Sequence, residues 1–204
     1  MIMKQLLFTL IGIVIFFGGC SVKSSPPVDE YTLMLEEHAI STTHSAKCSG
    51  KSIELLEPFG AYEYTTGDLH YILLPNQENS YNFSEWAQPI AAALYEKTLQ
   101  AISKSGLYGS VANYNSVAKS DYILEMEIND FKQYFSPDMK HSYVVADLTF
   151  TLIDAKHFKI IAQKEFRKKI DAKTLDAKGG VQALNNAFNR IVPEIVSWLE
   201  ELCR

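Results

Sequence analysis

"DYILEMEINDF", Asp121 to Phe131, alternates apolar and polar residues from Leu124 to Asn129. Tyr122, Leu124, Met126 and Ile128 fall on one side, and Glu125, Glu127 and Asn129 on the other. Successive strand side chains point to opposite faces, so this pattern predicts a strand with one buried and one wet face. The same period returns in "YVVADLTFTLID", Tyr143 to Asp154, where Val144, Ala146, Leu148, Phe150 and Leu152 oppose Asp147, Thr149 and Thr151. Ala155 to His157 then turns the chain into "FKIIAQKEFRKKI", with Ile160, Ala162, Phe166 and Ile170 alternating with Gln163, Glu165, Arg167 and Lys169. Three consecutive strands with one wet face predict an antiparallel meander.

Outward from the meander the period changes. "SEWAQPIAAALYEKTLQAISKSG", Ser84 to Gly106, reads as a helix with Ile90, Ala93, Leu94, Ala101 and Ile102 as its apolar stripe. Ser84 is the candidate N-cap, with Pro89 either kinking the first turn or marking the start, and Gly106 is the stop. A second helix is expected from Gly180, where Val181, Leu184, Phe188, Ile191, Ile195, Trp198 and Leu202 recur at helical spacing, with Pro193 expected to bend it. Shorter strands are expected at Tyr31–Leu35, Ser52–Phe59 and Leu69–Leu74, with loop from His38 to Gly50. The sum is an α+β domain: a mostly antiparallel sheet with two amphipathic helices packed on one face, preceded by a signal peptide and a flexible tether.

The chain has 204 residues, 47% hydrophobic and 21% charged, which is the composition of a globular protein large enough to bury a core. A formal charge of −5 argues against a nucleic-acid binder, which would show a basic face.

The N-terminus is the most specific segment. Lys4 precedes Leu6–Phe17, a run of twelve apolar or near-neutral residues. A membrane-spanning helix needs about 20 residues. The run is therefore short for a span and suits a signal-peptide core. It ends in Gly18-Gly19-Cys20, small residues before a cysteine, as lipoprotein processing requires; Phe17 stands where such sites usually have Leu. Cys20 is thus the expected lipidation site, and two or three acyl chains make a stable anchor. Ser21 follows, which by the common bacterial sorting rule resembles an outer-membrane lipoprotein facing the periplasm. An uncleaved anchor or a plain secretory signal is the alternative. These readings divide the chain into a signal peptide (1–19), a lipidated N-terminus with tether and short first strand (20–50), and the α+β domain (51–204). With Cys20 acylated, Cys48 and Cys203 remain; they could form a disulfide, as suits an oxidising compartment, or stay as two thiols.

Catalytic signatures do not emerge from the sequence: it contains no G-x-S-x-G, H-E-x-x-H, P-loop or G-x-G-x-x-G pattern. "SGLYGS", Ser105 to Ser110, reads as a helix end and strand start rather than a phosphate loop. His38, His44 and Cys48 have metal-ligand chemistry, but their spacing matches no compact zinc site, so no metal or other cofactor is expected. Glu125 and Glu127 read as the wet side of a strand. The aromatics between Phe59 and Trp86, with Tyr62, Tyr64 and Trp86 foremost, suggest a partner surface, to which Arg167 and Lys169 could add charge.

The order of these segments carries a resemblance. The Cys20 site, the strand at Tyr31-Thr32-Leu33, the Trp86-Ala87-x-Pro89 opening of a helix, Asp121–Phe131, two long alternating strands and a closing helix together resemble the ABC-type transport auxiliary lipoproteins of the PqiC/YmbA type. The likeness covers about Tyr31 to Leu202, and Phe59–His70 departs most from the pattern. The resemblance implies a non-enzymatic function: an outer-membrane-anchored component that docks an MCE-domain substrate-binding protein and its ABC permease and ATPase, which move lipids between the two membranes. The oligomeric state stays open, homo-oligomers included. Two other readings remain, an outer-membrane assembly or secretion lipoprotein that plugs or chaperones a barrel, and a periplasmic hydrolase.

Overall fold

The computed structural model describes residues 26–40, 48–74 and 77–203. The meander forms the spine: β7 (Tyr122–Phe135), β8 (Ser142–Asp154) and β9 (Lys159–Asp171) pair antiparallel in chain order. Around it lie β1 (Asp29–Tyr31), β2 (Ser52–Leu55), β3 (Phe59–Gly60), β4 (Asp68–Leu74), β5 (Gln77–Trp86) and β6 (Ser110–Asn113). The helices are α1 (Ile90–Ser105) and α2 (Ala177–Leu202).

One edge of β7 carries β8. Its other edge is shared in succession by β2, β3 and β4, all parallel to it. Antiparallel β5 extends the sheet from β4, and β1 and β6 join it by further parallel pairs. The nine-stranded sheet is therefore mixed: antiparallel along its long strands, parallel along its short ones. The expected mostly antiparallel sheet holds along the long strands, and the parallel pairs of the short strands add to it. Period-two patterns mark the face a strand buries but not the direction of its neighbours, and strands of two to four residues carry too little pattern to count.

Two bulges adjust the register of the meander. The extra residue Asn129 in β7 shifts the alternation, so that Phe131 and Gln133 continue the face of Leu124, Met126 and Ile128. In β9, Ile161 is the extra residue, and Ile160 pairs with Ile153 rather than continuing the buried face. Ile160 is 60% exposed and is not part of the core expected for it.

The buried face joins both helices in one core. Leu124, Met126, Ile128, Phe131, Val144, Ala146, Leu148, Phe150, Leu152 and Phe166 pack with the stripes of α1 and α2. Helix α1 begins at Ile90 with Pro89 at its cap, five residues later than a cap at Ser84 suggests. Ser84 to Trp86 instead close β5, where the backbone N–H of Trp86 donates to the Gly67 carbonyl at 2.7 Å. Gly106, at φ +70°, ends α1 in the left-handed conformation that glycine takes without strain. Helix α2 starts at Ala177, capped by the Asp176 carboxylate accepting from Gly179 N–H at 2.8 Å, and runs through Pro193. A Cβ on Gly180 would come within 2.1 Å of the Gln133 amide oxygen, so α2 and β7 meet closely at this glycine and a larger residue would displace the Gln133 side chain. No helix among the described residues is long and apolar enough to cross a membrane.

Candidate functional site

The face of the meander away from the helices holds the polar chemistry. Lys132, on β7 past the Asn129 bulge, donates to Glu63 and Glu78, each at 2.8 Å. Burial pulls its ammonium downward, but the two carboxylates outweigh that and hold it above the usual lysine range. Burial opposes ionisation of Glu63 as well, and the bond from Lys132 nevertheless keeps it below its ordinary value. His70 Nδ1 lies 3.1 Å from Glu78 but out of hydrogen-bond alignment, so both its ring nitrogens lack a hydrogen-bond partner. Nearby, burial raises Asp130 despite the Tyr134 hydroxyl donating to it at 2.6 Å. Asp147, 3% exposed, accepts from Arg167 at 2.8 Å and from the Asn129 amide at 3.0 Å. Lys132 and Arg167 thus match cations to Glu63, Glu78 and Asp147, whereas Asp130 has the Tyr134 hydroxyl as its partner and its Oδ1 has none among the described residues. These pairs fix the strands and the turn above them.

That turn explains the fate of the aromatics. Tyr62–Thr65 form a 3-10 turn that follows β3 and precedes β4, the two strands that share this edge of β7. Tyr62 is 81% exposed at its start, whereas Tyr64 is buried, with the Phe131 backbone N–H bonding its hydroxyl and Lys132 5.4 Å from its ring. Burial pushes the Tyr64 phenol up to about 12. Trp86 is likewise buried, its ring 6.3 Å from Phe131. The expected partner surface on Tyr62, Tyr64 and Trp86 is thus not formed: two of its three rings belong to the core. They went inward because helix α1 starts late and the turn seats one ring against β7. Arg167 and Lys169 lie on β9, with β7 and β8 between them and this turn. Arg167 holds Asp147, and the Lys169 ammonium sits 3.6 Å over the Tyr143 ring, which stacks on Tyr134 at 5.4 Å.

A second feature is the way the N-terminal segment is held. After β1, the chain from Thr32 to Glu36 runs against α2, where Asn185 and Asn189, four residues apart, serve it as backbone partners. Asn185 accepts from Met34 N–H at 2.6 Å; Asn189 accepts from Glu36 N–H at 2.8 Å and donates to the Met34 carbonyl at 2.9 Å. Leu33, between them, is 1% exposed, so the core reaches back almost to the tether. Cys48 and Cys203 are joined in a disulfide with Cα atoms 5.5 Å apart, tying the segment before β2 to the end of α2. Sequence reading missed Asn185, Asn189 and Lys132. The signal was there for the first two: polar amides four residues apart beside the apolar stripe of α2.

The remaining sequence candidates disperse. Cys48 is consumed by its disulfide and cannot bind metal with His38. Among the described residues, no group of three or more His, Cys, Asp or Glu could hold a metal ion. Cys20 and His44 lie outside the described residues. Glu125 and Glu127 face Thr151 and Thr149 on β8.

Among solved structures, the chain is similar to protein XCC0632 of Xanthomonas campestris, of family DUF330: TM-score 0.72, 18% identity, 84% of this chain and 95% of that one covered. It is also similar to an uncharacterised protein at TM-score 0.65 and 15% identity, covering 85% and 99%. At such identities the likeness establishes the α+β fold. No family model matches the chain, and no curated protein matches it in sequence.

Proposed function

We propose that this chain is an outer-membrane-anchored periplasmic lipoprotein, a non-enzymatic auxiliary component of an MCE-type ABC transport system that moves lipids between the membranes. The observation that carries this reading is the N-terminal attachment. The described chain enters the domain at β1, Asn185 and Asn189 then bond it to the longest described helix, and a tether expected to begin at Cys20 would lead into this attachment. A domain tied to its anchor in this way can take load between a membrane and a partner without losing its first strand. The Cys48–Cys203 disulfide suits the oxidising periplasm. The order of elements from Tyr31 to Leu202, together with the Gly18-Gly19-Cys20 site, supports the transporter assignment through the auxiliary-lipoprotein resemblance.

The test is crosslinking in intact cells from exposed positions of the anchored protein, followed by identification of the adducts. An MCE-domain protein or ABC subunit is the expected partner. A β-barrel or peptidoglycan adduct in place of transporter components would overturn the reading.

A further inference from the structure

A cleft of about 400 Å³ lies between α1 and two loops, the one that follows β2 and the turn that follows β6. Two tyrosines form its centre. The Tyr95 and Tyr114 rings stand 5.1 Å apart at 69°, and the Tyr114 backbone N–H donates to the Tyr95 hydroxyl at 3.2 Å. Tyr95 is buried in the helix wall, whereas Tyr114 is 41% exposed in the turn. That turn is set by its own bonds: the Asn113 side chain accepts from Asn115 N–H at 3.0 Å, and the Asn113 carbonyl from Ser116 N–H at 2.9 Å. Two rings held at an angle leave a notch for a flat apolar group, and Pro58, Pro89 and Leu99 extend its apolar lining.

The charges at the cleft have one sign. Glu57 stands on the loop wall and Glu96 on the helix wall, both exposed. Glu96 accepts from the Gln88 amide at 3.2 Å, and neither carboxylate has an ion-pair partner among the described residues. No lysine, arginine or histidine among the described residues lines the cleft. Burial raises the Tyr95 phenol, and Glu54 and Glu57 add to that against the Tyr114 N–H. Tyr95 therefore keeps its proton, with an O–H to donate.

We propose that this cleft docks a proline-rich segment of a partner protein that carries arginine or lysine. Proline rings are flat and apolar, and their extended helix loses little entropy on binding, so aromatic-lined grooves take them well. A ring seats in the notch between Tyr95 and Tyr114, and the Tyr95 O–H donates to a carbonyl of the segment. Its cation then lies between Glu57 and Glu96 and against the exposed Tyr114 face. The charge decides among occupants. An acidic peptide or an anionic lipid is repelled by unpaired carboxylates on both walls, and a neutral ligand leaves them without a partner. The segment is a contact beyond the transport reading and does not depend on the anchor.

The experiment measures fluorescence polarisation of the labelled peptide APPRPPRPA with the mature chain from Cys20 carrying Cys20→Ser, so that no acyl group contributes. Binding that salt weakens is expected. The peptide APPQPPQPA, without the cations, and AAARAARAA, without the prolines, should each bind about tenfold more weakly. On the protein, Tyr114→Ala should cost about tenfold, and Tyr114→Phe should bind as the parent does, since the ring and the backbone N–H make the site. Glu57→Gln and Glu96→Gln should cost about threefold each. Phe83→Ala, an exposed aromatic of β5 outside the cleft, should leave binding unchanged. These side chains are exposed, and an unchanged thermal midpoint shows that each variant folds. No binding of APPRPPRPA, equal binding of APPQPPQPA, or full binding by Tyr114→Ala overturns the proposal. A photocrosslinker at position 114 in cells should give an adduct that maps to a segment with proline and arginine or lysine. An adduct to an acidic segment, a lipid or a glycan overturns it as well. The assay contains neither a transporter component nor a membrane, so its failure is separate from failure of the proposed function.

Discussion

The two faces of the meander differ although the same three strands build both. On the helix side, β8 presents Val144, Ala146, Leu148, Phe150 and Leu152, all within 2% of complete burial. On the open side it presents Val145, Asp147, Thr149, Thr151 and Ile153, and three of these, Val145, Asp147 and Thr151, are buried as well. Helices cover the first set; neighbouring long side chains such as Lys132, Arg167 and Gln163 cover the second. Dry packing and a charge lattice thus achieve similar burial by different means. Packing should carry the stability, because each open-face ion pair gives back in desolvation much of what it gains. Val145, the stacked Tyr134 and Tyr143 and the row of Ile123, Ile153 and Ile160 interrupt the polar pattern of the open face.

The strongest way to break this contrast uses neighbours on β9. Phe166 stands edge-on to Phe150 at 5.9 Å and to Trp198 at 5.8 Å. Phe166→Ala should destabilise by about 3–5 kcal/mol in urea unfolding. Arg167→Ala, one residue on and facing the other way, leaves the buried Asp147 carboxylate with the Asn129 amide and no cation, and should cost less, about 2 kcal/mol. Equal losses would remove the distinction between the faces. Reducing the Cys48–Cys203 bond, which closes a loop of 155 residues, should cost about 2–4 kcal/mol, read as the shift in urea midpoint with and without reductant.

On the open face, Lys132→Met keeps the apolar stem but leaves Glu63 and Glu78 without their cation, at a cost of about 2 kcal/mol at neutral pH. Its pH dependence sharpens the case. Glu63 is held below its ordinary value in the fold, against the opposing effect of burial, by its bond from Lys132. Its contribution is therefore complete above the unfolded carboxyl range near about 4.3 and fades as pH falls through the folded value. The gap between Lys132→Met and the parent should accordingly narrow on acidification below about 5. A constant gap would mean that the lysine acts through packing alone.

The smallest effect belongs to the N-terminal segment. Asn189→Ala removes two bonds to the N-terminal segment and one to the Asn185 carbonyl, and should cost about 1 kcal/mol globally. Hydrogen exchange at the Glu36 amide should accelerate well beyond that of the β8 amides. Unchanged protection there would show that Leu33 burial alone retains the segment.

What the sequence revealed follows the strength of its periodicities. The strands β7, β8 and β9 and the stripes of both helices were legible, because ten or more residues repeat one physical demand. The bulges at Asn129 and Ile161 were not: an inserted residue appears in a pattern as noise, yet Ile161 moves Ile160 from core to surface. β5 was lost because "SYNFSEW" has polar residues on both faces, and the serine before its tryptophan imitates a helix cap. Tyr64 and Trp86 were misplaced for a related reason. Aromatic density marks where large rings are, while the seating of a turn against β7 decides which of them see water. The Lys132 cluster was hidden because Glu63, Glu78 and Lys132 are brought together only by the sheet.

The anchored role proposed for this protein hangs from Cys20. The most direct measurement is the intact mass of the chain isolated from the outer-membrane fraction of its native cells. The expected result is a chain beginning at Cys20 and heavier by a diacylglyceryl group, with or without a third acyl chain on its amine. A chain that retains Met1–Gly19, or one that carries an unmodified Cys20 thiol, would contradict the anchor and with it the docking role.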